Sequence, residues 1–101
     1  MRKADIISTI SEKTGVPKVD VLVSIEAFFN ETKDALANGE NVYIRGFGSF
    51  IRKKRAKKIG RNIQKNTAVE IPEHMIPAFK PAKVFVDIVK ENSIKELNSN
   101  K

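Results

Sequence analysis

An α+β fold is what this 101-residue chain predicts, on three observations. Apolar residues recur at helical spacing as far as Asn38-Gly39, then alternate from Asn41 onward. Residues 41–69 hold nine basic residues and no acid, on an extended pattern that loses its apolar face after Ile51. A further helical pattern starts near Pro81 or Ala82. The expected architecture is two N-terminal helices, antiparallel strands prolonged into a β-ribbon arm, and a short C-terminal helix.

The first helix spans residues 3–13, with Ile6, Ile7 and Ile10 on one face. Thr14-Gly15-Val16-Pro17 ends it, because Gly suits the position past a helix end and Pro the first turn of the next helix. Asp20 then falls where a negative charge complements the helix dipole. The second helix runs from about Lys18 to Asn38. Its apolar positions, among them Val21, Leu22, Ile25, Phe28 and Phe29, form a stripe broad enough to need burial from more than one direction. A partner chain would cover that excess; a well-covered monomer core is the other solution. Asn41 to Arg45, with Val42, Tyr43 and Ile44, reads as a strand. Gly46-Phe47-Gly48 forces a tight turn or bulge, and Ser49-Phe50-Ile51 opens a second strand. The last helix carries Val84, Phe85, Ile88 and Val89, and Pro72, Pro77 and Pro81 confine the strands before it to short or edge positions.

Composition narrows the function. At 41% hydrophobic and 31% charged, the chain suits one globular domain. No uncharged stretch approaches the ~20 residues of a membrane span and no basic-then-apolar leader opens the sequence, so a soluble, cytoplasmic protein is expected. Without Cys there are no disulfides, thiolate metal sites or cysteine nucleophiles. His74, the lone imidazole, has no second ligand-type neighbour, so neither metal nor cofactor is expected. Residues 41–69 carry +9 while the rest of the chain sums to −2, giving the formal net charge of +7. Charge this segregated makes a local field whose natural partner is a polyanion. A surface tuned for solubility would intersperse its signs, and an anionic membrane would require a wide apolar helical face that this segment lacks.

The chemistry concentrates in Arg52, Lys53, Lys54, Arg55, Lys57, Lys58, Arg61 and Lys65. In an extended strand these project from both faces, so neither face packs on a core. Asn62-Ile63-Gln64-Lys65-Asn66 supplies turn residues, and Thr67, Val69 and Ile71 alternate on the return path. A long two-stranded ribbon with its tip near Ile63 satisfies this pattern better than a disordered basic loop, which has no use for β-branched alternation. Ile51 to Asn62 would reach roughly 40 Å at ~3.3 Å per residue, longer than the roughly 34 Å repeat of a duplex. Phosphates would satisfy the cations and release condensed counterions. Ile63 sits at the tip with nothing nearby to bury it. It is either an ordinary exposed aliphatic or an apolar wedge between stacked base pairs in the minor groove.

The chain resembles the bacterial histone-like DNA-binding proteins, HU and integration host factor, most closely HU. The resemblance rests on Gly46-Phe47-Gly48-Ser49-Phe50, Arg55, Gly60-Arg61-Asn62, Ile76-Pro77-Ala78-Phe79-Lys80 and Lys83, with Lys3-Ala4-Asp5-Ile6-Ile7 at the start. It runs over residues 1–91, with the arm at about 52–75 and a partly frayed extension at 92–101. It implies an intertwined dimer in which helices form the base, a three-stranded antiparallel sheet forms a saddle, and two β-arms embrace the minor groove. DNA contacts then fall on Arg61 and Asn62 at the tip and on the basic arm positions, Lys53, Arg55 and Lys58 among them. Lys3, Lys80 and Lys83 reach phosphates from the body, and Phe47, Phe50 and Phe79 join Phe28 and Phe29 in the dimer core. Three departures stand out: Ile63 where the family has Pro, Lys65-Asn66 where it has Thr-Gly, and the extension. Asn takes a positive φ less cheaply than Gly, and Lys65 adds a phosphate partner. Within the extension, Ile94 and Leu97 prolong the last helix while Asn98 to Lys101 fray.

The expected function is architectural, largely sequence-independent binding and bending of double-stranded DNA in the bacterial nucleoid, without catalysis, by a homodimer or a heterodimer with a paralogue. Three rivals make different demands, the nearest being a sequence-specific protein like integration host factor, which binding to random versus selected duplexes would separate. An RNA-binding protein with basic β-extensions would use aromatic stacking platforms, and the arm from Ile51 to Ile71 has none, so RNA is a weaker partner. A small nuclease would need paired carboxylates for a metal, whereas Asp5, Asp20 and Asp34 are spread along helices.

Overall fold

Two helices, α1 (Lys3–Thr14) and α2 (Lys18–Ala37), open the chain. The computed structural model describes residues 1–62 and 67–99, with Arg61 and Asn62 described in their backbone only. The Asp5 carboxylate accepts the Arg2 backbone N–H at 2.8 Å, which anchors the start of α1. At its end Gly15 takes φ 77° and donates its N–H to the Ser11 carbonyl. Pro17 offers its carbonyl to the N–H groups of Asp20 and Val21 and so launches α2. Ile7 and Val21 are the two buried residues of this part of the chain, at 7% and 5% exposure. Phe28 and Phe29 meet edge to face at 6.0 Å, yet remain 43% and 41% exposed.

The segment from Leu36 onward forms a second compact unit. Here β1 (Val42–Ile44), β2 (Gly48–Arg55) and β5 (His74–Pro81) make an antiparallel sheet in the order β1-β2-β5. The turn between β1 and β2 closes with Phe47 N–H donating to the Ile44 carbonyl at 3.0 Å, and Gly46 takes φ 80° within it. Gly48 is required by space. A Cβ there would lie 2.6 Å from the Lys80 carbonyl oxygen and 2.7 Å from the Phe79 ring. Pro77 and Pro81 lie in β5, an edge strand, where a missing N–H is tolerated.

The arm is a second ladder, β3 (Lys58–Asn62) paired with β4 (Thr67–Ile71). Its register continues that of β2 and β5: Arg55 faces His74, and three residues further along each strand Lys58 faces Ile71. The ladder breaks between them, where Pro72 has no N–H to give. The prolines are expected from the sequence to separate the arm from the body, and the two ladders part at Pro72.

The last helix, α3 (Lys83–Ser99), begins one residue past Ala82, whose N–H donates to the Phe47 carbonyl. It is not short. Helix formers from Lys90 to Leu97, with Glu91 and Lys95 four apart, carry it through Asn98 and Ser99, where fraying is expected from composition. Among the described residues, no helix is long and apolar enough to cross a membrane.

Candidate nucleic-acid interface

Strand register decides which side chains share a face, because successive residues point to opposite sides. One row across the sheet is Val42–Phe50–Phe79, and the next is Tyr43–Ser49–Lys80. The two rows therefore face opposite ways. On the first face Phe79 packs against Phe50 at 5.0 Å and Phe47 at 5.2 Å, and Phe47 stacks on Phe85 at 5.4 Å. Of the five phenylalanines expected to meet in a dimer core, Phe47, Phe50 and Phe79 thus come together, joined by Phe85. Phe28 and Phe29 pair in the first unit.

The opposite face carries a line of cations, with Ile51, Ala78 and Ile76 among them. Along the β2–β5 ladder it carries Lys80, then Lys53 beside Ile76, then Arg55 beside His74. At ~3.3 Å per residue these cations are strung over roughly 20 Å. At its inner end Tyr43, Arg45, Ser49, Lys80 and Lys83 line an open concavity of about 580 Å³. Arg45 is the residue that the sequence reading missed. It lies outside the dense run of cations, and only the turn at Gly46 brings it beside Lys80 and Lys83. The available signal was its place directly before Gly46-Phe47-Gly48.

The remaining candidates differ in setting. Arg52 is half-buried on the aromatic-face row: its backbone N–H donates to Asn41 Oδ1 at 3.0 Å, and its guanidinium lies against the Gly39 turn. Lys54 pairs with Glu73 at 3.0 Å and Lys57 with Glu70 at 2.5 Å, both exposed cross-strand diagonals. Among the described residues Lys53, Arg55 and Lys58 have no such acid. Lys3 forms an exposed ion pair with Glu26. The backbones of Arg61 and Asn62 sit opposite Ala68 and Thr67. Ile63 and Lys65 lie outside the described residues. No group of three or more metal-ligating side chains occurs among the described residues.

A family model described as "Bacterial DNA-binding protein" matches residues 1–90. The chain is 43% identical over 90 residues to the SPbeta prophage-derived DNA-binding protein HU 2 of Bacillus subtilis (strain 168), covering 89% of this chain and 98% of that one. It is 42% identical over 102 residues to integration host factor subunit beta of Marinomonas sp. (strain MWYL1), covering 97% of this chain and all of the relative. Among solved structures it is similar to an Anabaena HU–DNA cocrystal structure, with a TM-score of 0.81 and 32% identity over 88% of this chain and 97% of that one.

Proposed function

Since the chain belongs to the bacterial DNA-binding protein family, in which HU and integration host factor are its relatives, we propose how it holds DNA. It is a non-enzymatic, architectural DNA-binding protein. The duplex lies along the face of Tyr43, Ser49 and Lys80, with Arg45, Lys80 and Lys83 at the body and Lys53, Arg55 and Lys58 along the path to the arm. The arm enters the minor groove, where Arg61 and Asn62 make contacts and Ile63 wedges between base pairs. Lys54, Lys57 and Lys65 add charge near phosphates. Lys3 and Arg52 engage by leaving Glu26 and the Gly39 turn.

The observation that carries this reading is the line of Lys80, Lys53 and Arg55 that strand register places on the face opposite Phe50 and Phe79. A homodimer fits the first face: Phe47, Phe79 and Val86 are each about two-fifths exposed, more apolar surface than one chain of this size leaves to water. The minor groove distinguishes A·T from G·C and little else, so sequence preference is weak and follows deformable steps. The protein acts in the cytoplasm on the nucleoid. Titration into random duplexes at several salt concentrations, with ring closure as the bending readout, tests this. Saturable, salt-dependent binding with faster ring closure is expected; a salt-independent affinity, or preference for RNA in competition, overturns it.

The likeness to an integration host factor subunit over 97% of the chain favours one second reading, a sequence-specific bender. Selected duplexes that outcompete random ones by ~10³ or more would establish it.

A further inference from the structure

We infer that the part of α3 beyond Glu91 is a second stretch of contact with another copy of this chain. The inference rests on the homodimer proposed above and adds a surface to it. Phe79, Pro81, Phe85, Val86, Val89 and Ser93, with Lys90, line a largely apolar groove of about 510 Å³ along α3. Val86, Val89, Ser93 and Leu97 follow at spacings of three, four and four, so Leu97 continues the same face, and Ile94 flanks it. Val86 is 45% exposed, Ile94 49% and Leu97 68%. The family model ends at residue 90, whereas α3 continues to Ser99 and adds roughly 13 Å of helix at ~1.5 Å per residue.

Charge selects the occupant. Beyond Glu91 the helix as far as Ser99 carries Lys95 against Glu96, so this stretch offers a duplex no net attraction. A second copy brings the same apolar stripe and the same alternating charges, which is the self-complementarity that a two-fold contact needs. The groove is also continuous with the Phe47–Phe79–Phe85 cluster, the aromatic face assigned to the dimer. Leu97 and Ile94 therefore lengthen an interface that begins at those rings.

The test uses the full chain with Leu97→Glu, Ile94→Glu, Leu97→Met and, on the opposite side of the helix, Lys95→Gln. Sedimentation equilibrium reads the dimer dissociation constant, and circular dichroism at high concentration checks that α3 stays helical. The two glutamate variants raise that constant by about tenfold or more, while Leu97→Met and Lys95→Gln stay within about twofold. Glutamate variants that dimerise as tightly as the parent overturn the inference and leave the homodimer standing. So does a loss of duplex affinity with dimerisation unchanged, which would assign the extension to DNA. A parent chain that is monomeric at every concentration removes the homodimer and this inference together.

Discussion

Replacing Gly48 by Ala, beside the same change at Gly46, weighs two reasons for a glycine: Gly46 has its positive φ alone, whereas Gly48 adds want of space to a φ of 158°. At Gly48 the added methyl carbon would stand 2.6 Å from the Lys80 carbonyl oxygen and 2.7 Å from two carbons of the Phe79 ring. Neither neighbour gives way cheaply. The carbonyl belongs to the backbone of β5, and the ring is held between Phe47, Phe50 and Phe85. Overpacking of this kind costs about 1–3 kcal/mol, and two rigid contacts place Gly48→Ala at the upper end. At Gly46 nothing lies within 4 Å of the equivalent position, and the cost arises from φ 80° alone. That is about 1–2 kcal/mol for Ala and less for Asn, which visits the left-handed region more readily. Thermal unfolding by circular dichroism at one fixed concentration measures both. With about 4–8 °C lost per kcal/mol in a domain of this size, Gly48→Ala lowers the midpoint by roughly 10–20 °C. Asn recovers stability relative to Ala at position 46 and loses more at position 48. A Gly48→Ala midpoint within about 4 °C of the parent, or a Gly48→Asn protein more stable than Gly48→Ala, would refute the steric account.

Other expectations concern the grip on DNA. Glu70→Gln with Glu73→Gln frees Lys57 and Lys54, raises duplex affinity and steepens the slope of log affinity against log salt by up to about 0.9 for each lysine that takes a phosphate; an unchanged slope means that the pairs persist in the complex. Arg45→Ala weakens binding on every duplex and flattens that slope by roughly one unit per protomer engaged, and equal slopes would place Arg45 off the DNA. Ile63→Ala lowers ring-closure efficiency more than it lowers affinity, and equal ring closure would remove the wedge.

The elements of the fold were legible because their signals are local. Period switches at Gly39, Gly46-Phe47-Gly48 marks the turn, and prolines mark an edge strand. The site was legible where cations are dense and obscure where the fold brings distant residues together. Arg45 joins Lys80 and Lys83 through a turn and a strand pairing that no window of sequence contains. Glu70 and Glu73 fall just past the acid-free stretch, so a count along the chain separates them from Lys57 and Lys54, the residues they meet across the hairpin. Arg52 belongs to the basic run by position, yet its register places it on the aromatic-face row. Ile94 and Leu97 already announce that α3 runs past Glu91; what composition hides is its continuation through Asn98 and Ser99, whose residue types suit a frayed end.

The prolines of β5 have an effect beyond the chain that carries them. Pro77 and Pro81 are four residues apart and so present their nitrogens in the same direction, away from β2. Half of the donors on that rim, at Met75, Pro77, Phe79 and Pro81, are consequently missing. A foreign strand cannot template itself there, because every second rung would lack a proton to share. Molecules crowded side by side on a nucleic acid thus have this route to β-polymers closed to them by two imino acids.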